Sequence, residues 1–536
     1  SRHEALIGQF HLAGWTLTNL TLSQYMKTDV AVFVPVTYLF ITLTVWLVFR
    51  NLRLTLLALT NISACTGATM GLFPYLGITL NTVTTIVPPL IMALALSNSV
   101  HIFSHLDRRL LDQQHDPAKS LQMILQRIIL PSFLCSLTTA AGFISLAISE
   151  IPAIKDFAYA ASAGMVFQFF FSFTLLPAMI LRCNAERLYA DQSASSTLAP
   201  FVRHLWNFVS AHPRGICTIA FILTMSAFWC ASTISVETNL MENFKSSSTI
   251  RKDLDFVASN LSGVATVDIS LKSPDTDAFL DPSNLAAMER IQSFAQGLDK
   301  VDLCMSFVDF LKDMNQSFHN ENPQFYRIPE SRELVSQYLL LYDVNDLDEF
   351  ITAGYDHARI LVRISDHGSA GQARIIAALQ SFIDLNDNNG LQVRVTGRAV
   401  QDVNTIDALV WGQVESLALA AATITLIMFA ALRSVAIGAL SLVPNVFPIV
   451  LNFGIMGALG IPLNTATALI SVVALGIAVD DTIHFLTEYN RRRAQGAAIQ
   501  DSVQRAFLDK GMAMTATSLI LVIGFAVLML SNFVPT

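Results

Sequence analysis

Residues 460–492 read GIPLNTATALISVVALGIAVDDTIHFLTEYNRR, an apolar run broken near its middle by Asp480, Asp481 and His484 and closed by arginines. About 20 apolar residues cross ~30 Å of hydrocarbon as a helix, and backbone groups in lipid must pair within their own segment. The run therefore reads as a transmembrane helix that carries acids inside it. The pattern also occurs earlier, at residues 77–109: GITLNTVTTIVPPLIMALALSNSVHIFSHLDRR. The two segments align without a gap at a shift of 383 positions. That shift carries Asn81 onto Asn464, Ser97 and Asn98 onto Asp480 and Asp481, His101 onto His484, and Arg108-Arg109 onto Arg491-Arg492. A second match, SLTTAAGFISLAIS (136–149) with SLILVIGFAVLMLS (518–531), follows one residue off that register, and Arg50 falls on Arg433. Ordered matches that share polar residues indicate an internal repeat. Its halves run in the same direction, the parallel arrangement found in some transporters.

The rest of the chain agrees with a polytopic membrane protein. Of 536 residues, 53% are hydrophobic and only 14% charged, against about a quarter charged in soluble domains. Ten spans are expected, near 29–50, 53–75, 79–105, 126–149, 155–182, 214–235, 413–432, 435–458, 466–489 and 511–531. A polar insert, 236–405, carries 14 Lys+Arg against 25 Asp+Glu, a net −11. The remainder has 19 basic and 16 acidic residues, a net +3, which argues against a nucleic-acid partner. Basic residues mark alternate loops: Arg50 and Arg53, Arg108 and Arg109, Arg182, Arg187 and Arg203, Arg433, and Arg491 to Arg493. The positive-inside rule makes those loops cytoplasmic and places the insert outside. The expected division is 1–28, the end of a first external domain; 29–182, a five-helix bundle; 183–213, a cytoplasmic linker; 214–235, the first helix of the second half; 236–405, an external domain; and 406–536, four helices. Measured against the repeat, the chain is expected to be cut at both ends, a final helix being missing from the second half.

The insert reads as mixed α/β. VATVDISL (264–271), ARILVRIS (358–365) and LQVRVTG (391–397) have strand patterning, while 284–298 and 372–385 have helical spacing. His319, His357 and His367 are scattered and read as surface or structural residues. The six cysteines, Cys65, Cys135, Cys183, Cys217, Cys230 and Cys304, show no spacing of a metal site or a disulfide framework and read as small apolar residues. No cofactor site and no enzyme motif is recognised. Pro88-Pro89, Pro444 and Pro448 lie within expected spans and read as kinks or hinges.

Asp480 is 11 residues before Arg491, about 16 Å along a helix and near the middle of the membrane. A carboxylate there costs at least ~2.5 kcal/mol, so such acids usually mark ion or proton pathways. His484, four residues on, shares the face of Asp480. It can shuttle protons, or simply satisfy a nearby group. Thr515, Thr517 and Ser518 on the following helix are candidate hydroxyl partners. The plain alternative is that the acids hold helices together or line a vestibule. In the first half the equivalents are Ser97, Asn98 and His101, so any proton pathway is asymmetric.

With these residues in view, the chain resembles the resistance-nodulation-division (RND) superfamily, in its MmpL-like branch of hydrophobe exporters. Its membrane part is similar to Patched-type and sterol-sensing proteins. The resemblance rests on GIAVDDTIHF (476–485), GIPLN (460–464), VPNVFPI (443–449), the GF pairs at 142–143 and 524–525, and SGVATVDISL (262–271) and QYLLLY (337–342) in the insert. It implies the RND fold, with twelve helices and two α/β porter-like domains in a complete chain. It also implies a bacterial inner-membrane location with the insert in the periplasm, and proton-driven export of a sterol-, hopanoid- or fatty-lipid-like substrate. Implied partners are protons, membrane lipids, a periplasmic lipid-binding or outer-membrane protein, and further copies in a dimer or trimer. In the family motif the first acid is the proton-relay position and the second is often Tyr, so Asp480 is favoured over Asp481. Competing expectations are a sterol- or lipid-sensing receptor that does not pump, and a protein-export accessory.

Overall fold

The computed structural model describes residues 10–106, 116–183, 188, 199–237, 244–340, 347–366 and 368–531. Arg108, Arg109, Arg187, His367 and the last two residues of QYLLLY lie outside the described residues.

The chain opens with α1 (Trp15–Phe49), α2 (Leu52–Leu76), a 3-10 turn (Thr84–Ile86) leading into α3 (Val87–Ser104), and α4 (Pro117–Ser145). There follow α5 (Pro152–Phe173), α6 (Leu175–Arg182), α7 (Ala199–Ala211) and α8 (Pro213–Ala231). Next come α9 (Thr249–Asn260), β1 (Ala265–Lys272), α10 (Pro282–Gln296), β2 (Val301–Ser306), α11 (Phe307–Ser317), α12 (Arg332–Leu339), β3 (His357–Ile364), α13 (Ser369–Leu385) and β4 (Gln392–Thr396). The chain closes with α14 (Arg398–Leu432), α15 (Val435–Leu459), α16 (Thr465–Ala494) and α17 (Ile499–Ala526).

Among the described residues, ten helical segments are long and apolar enough to span a membrane. Several outrun the apolar cores seen in the sequence. The helix around 126–149 begins at Pro117, where the Asp116 carboxylate accepts the Ala118 amide. The fifth span is broken at Thr174 (φ −120°, ψ −65°). Pro177, just beyond, lacks the N–H that would bond back to Phe173. Pro88-Pro89 do not kink a span. They occupy the first turn of α3, where helix amides have no partner in any case. Pro444 and Pro448 lie inside an unbroken α15.

Positions 383 apart share local geometry. α1 and α14, and α2 and α15, begin and end at matching positions. Gly77 and Gly460 end α2 and α15 with φ of 67° and 65°, the left-handed region that favours glycine. Arg50 and Arg433 both take positive φ, 47° and 50°. The side chain of Asn81 accepts the Val83 and Thr84 amides, and that of Asn464 accepts the Ala466 and Thr467 amides. Each asparagine's backbone N–H donates in return to the threonine hydroxyl three residues on.

The chain divides into two compact units, Ser1–Leu22 with Glu237–Asp407, and Ser23–Val236 with Ala408–Thr536. In the first, a four-stranded antiparallel sheet has the order β2-β3-β1-β4. With α10 between β1 and β2, and α13 between β3 and β4, this is the split βαβ, ferredoxin-like arrangement. One sheet face buries Val267, Ile269, Leu271, Ile360, Val362 and Ile364. On the opposite face Arg359 donates to Asp268 at 2.7 Å, and Ser270 bonds His357. β2 and helices α9, α11 and α12 add to the elements read from the sequence. VDLCMS is short and lacks clean alternation, burying Cys304 and Ser306. The Cys304 thiol is pushed by burial up to about 12, that of an inert packing group.

In the membrane unit, α3 is the central element, buried at every residue from Val87 to Phe103. α8 is the opposite case, with Ala227 as its buried residue. It packs where α15 presents Gly454 and Gly457: a Cβ on Gly454 would lie 2.5 Å from the Ala227 Cβ, and one on Gly457 1.8 Å from the Cys230 carbonyl oxygen. Small residues allow close approach where lipid supplies no hydrophobic drive. Gly457→Val is therefore expected to undock α8, since the opposing atom is backbone. The signs would be a lower melting temperature of the purified protein and faster proteolysis in 183–213.

Candidate functional site

α16 starts on the Asn464 cap and carries Asp480 sixteen residues along a 30-residue helix. Its spacing from α4 is set one turn earlier. A Cβ on Gly476 would meet the Thr139 Cγ2 at 3.1 Å, and the Thr139 hydroxyl donates to the Gly476 carbonyl at 3.1 Å. One turn back on α4, the Cys135 thiol reaches the Asp480 backbone carbonyl at 3.6 Å.

α3 supplies the other wall. Ser97 and His101 are one turn apart on α3, as Asp480 and His484 are on α16, so each pair shares a face. The Ser97 hydroxyl donates to Asp480 Oδ2 at 3.0 Å. The His101 and His484 rings stack with centroids 3.9 Å apart and planes within 16°. His484 Nε2 is 3.6 Å from Asp480 Oδ1. Both contacts between α3 and α16 join residues that the 383 shift superimposes. A cavity of about 20 Å³, bordered by Ser97, Asn98, Cys135, Gln168 and Asp480, lies against the carboxylate. That is the size of one water. Among the described residues neither ring nitrogen of His101 or His484 has a hydrogen-bond partner, nor does the Asn98 amide nitrogen.

Asp481, half-buried, has no hydrogen-bond partner among the described residues. Thr515 and Thr517 do not serve the carboxylate. Their hydroxyls bond carbonyls of their own helix, at Gly511 and at Ala513 and Met514. Ser518 lines a separate cavity of about 730 Å³, otherwise almost wholly apolar, with Leu90, Val473, Val522, Phe525 and Met529. Ile477 and Leu521 border both this cavity and the small one beside Asp480.

Toward the C-terminal end of α16 lies a charge cluster that the sequence reading passed over. Glu488, 3% exposed, receives Arg127 at 3.3 Å, Arg491 at 2.7 Å and Arg492 at 2.9 Å. Arg127 and Arg492 also pair with Asp509. Lys510, equally buried, sits 3.2 Å from His105 Nε2. From sequence, Arg491 and Arg492 are read as loop markers. The available signal was Lys510 and Glu488 recurring on helical faces that otherwise run into apolar spans.

Two family models match different parts of the chain. Residues 306–534 match the MMPL family, and residues 48–199 match the sterol-sensing domain of SREBP cleavage-activation. A Methanocaldococcus jannaschii chain, named as a membrane protein, is 21% identical over 344 residues, covering 62% of this chain and 86% of its own length. The chain is thus similar to MmpL-like proteins of the RND type over its second half and to sterol-sensing proteins over part of its first. Ten long apolar helices among the described residues make it a multi-pass membrane protein, and the two matched families are of lipid- and hydrophobe-transporting or -sensing types and are not enzyme families.

Removing the buried carboxylate of this cluster takes from Arg491 its partner and leaves Arg127 and Arg492 only the exposed Asp509, a loss that solvent at the partly exposed arginines reduces below that of a fully buried pair. Glu488→Gln is expected to lower the melting temperature in detergent by several degrees. Arg505→Gln, at an exposed i,i+4 pair with Asp501, should change it little.

Proposed function

We propose that the protein is a proton-driven RND transporter that exports or traffics a hydrophobic, lipid-like substrate, with Asp480 as the proton-carrying group. The observation that carries this reading is the setting of Asp480. It is a carboxylate inside the bundle with no cation beside it among the described residues, held by one hydroxyl from Ser97 and flanked by His484, beside a water-sized cavity. A carboxylate so placed is stable only when neutral or compensated, and loading and unloading a proton switches between those states. The apolar cavity shares Ile477 and Leu521 with the acid pocket. A change in charge at Asp480 therefore acts on the wall of a space large enough for a lipid-sized ligand. Asp481 contributes less, having no bound partner.

The wider assignment belongs to the same proposal. The parallel repeat pairs residues 29–182 with 406–536 around the α3–α16 contact, and the shared geometry at positions 383 apart supports it. Residues 236–405 are read as a porter-like α/β domain, and residues 1–28 as the tail of a first one, on the periplasmic side of a bacterial inner membrane. They would pass substrate to a periplasmic or outer-membrane partner, in a dimeric or trimeric assembly.

A second reading, a lipid sensor without pumping, is favoured by one observation. The segment that matches the sterol-sensing domain carries its own groove of about 640 Å³, lined by Leu76, Leu137, Ile144, Tyr159 and Val166.

The full-length protein reconstituted in vesicles with an imposed pH gradient separates the two. Asp480→Asn is expected to reduce lipid transfer at least tenfold while lipid co-purification persists, and Asp481→Asn should retain most transfer. Gradient-independent behaviour of the unmodified protein would favour the sensor.

A further inference from the structure

We propose that Cys135, Asp480 and His484 form an intramembrane site for a late transition-metal dication, Zn²⁺ being the best fit. One ligand atom from each residue lies within 4.8 Å of the others. The set was hidden in the sequence, because 345 positions separate Cys135 from Asp480.

Four features make this more than proximity. His484 is fully buried and neither of its nitrogens is hydrogen-bonded among the described residues, whereas buried polar groups are normally partnered. The 3.6 Å from His484 Nε2 to Asp480 Oδ1 is close to the edge of a tetrahedron built on bonds of about 2.1 Å, roughly 3.4 Å. Ser97 engages Oδ2, leaving Oδ1 turned to the imidazole, an outer hydrogen bond of the kind that orients metal ligands. The cavity beside Cys135 and Asp480 leaves room for one small ligand such as a water to complete the coordination.

Charge supplies the strongest argument. A dication bound by one thiolate, one carboxylate and one neutral imidazole makes a centre of zero net charge. Such a centre avoids the cost of an unpaired charge in hydrocarbon. A mixed sulfur, nitrogen and oxygen set with three protein ligands suits Zn²⁺, whereas Mg²⁺ and Ca²⁺ prefer oxygen alone. Binding converts the Cys135 thiol to a thiolate and requires Asp480 ionised, so the thiol proton, and the carboxyl proton where Asp480 carries one, leave to solvent; no electron is transferred.

The site stands apart from the proton reading. A metal on Asp480 excludes a proton there, so zinc acts as a blocker of the relay and not as its cargo. The test reads metal content. The purified full chain is loaded with zinc sulfate, desalted and analysed by inductively coupled plasma mass spectrometry. About one zinc per chain is expected, falling at least fivefold in Cys135→Ser and in His484→Asn and persisting in Cys304→Ser. Cobalt loading should give a thiolate-to-metal charge-transfer band that Cys135→Ser removes. Zinc retained in both ligand variants, or no zinc in the unmodified chain, would overturn the assignment. A monodisperse elution profile and an unchanged melting temperature establish that each variant is folded, and Cys135→Ala repeats the test if Cys135→Ser is not.

Discussion

A carboxylate inside a lipid-spanning bundle needs a partner more than any other group in the chain, because hydrocarbon offers none. Asp480 obtains it from the Ser97 hydroxyl. That bond draws α16 to α3, the helix buried from Val87 to Phe103, and fixes which faces of the two helices meet. The imidazole stack one turn away follows from the same registration. The Gly476–Thr139 approach brings α4 against the same carboxylate from the other side. Three helices are thus organised around one oxygen pair.

Polar groups form a graded series along α16. Neutral hydrogen bonding dominates around Asp480, stacked imidazoles follow at His484, and a dense salt-bridge cluster gathers around Glu488. Buried ion pairs survive only where each charge meets several opposites. Glu488, with three arginines, meets that condition, while Asp509, which pairs with Arg127 and Arg492, is exposed.

The sequence made much of this legible, for physical reasons. Hydrocarbon thickness dictates run length, so ten spans could be counted. Asn81 and Asn464 stood out only as matching positions, and the structure shows them to be caps. The helical period placed His484 on the face of Asp480. Contacts between distant segments were less accessible. Thr515, Thr517 and Ser518 are near in sequence to the right depth, yet the hydroxyl that serves Asp480 comes from another helix. It is Ser97, whose importance lay hidden in its being the non-acidic counterpart of that same aspartate. Cys135 looked like an ordinary apolar filler because nothing local distinguishes a packing thiol from one facing a carboxylate. In the α/β unit, long alternating strands were readable, whereas β2 owes its existence to pairing with β3 and not to its own six residues.

Positions 97 and 480, like 101 and 484, touch their own counterparts under the 383 shift. In a chain built of two like halves, such places are where sameness itself becomes costly. A residue that suits one half would there confront a copy of itself, and two ionised carboxylates a hydrogen-bond length apart repel. Two imidazoles can lie face to face, and the histidines have stayed alike. The acid cannot face its twin so easily, and the two halves differ there. Divergence at the central contact is then a condition of having one well-defined carboxylate, and a search for function in such chains should begin where the halves meet themselves and disagree.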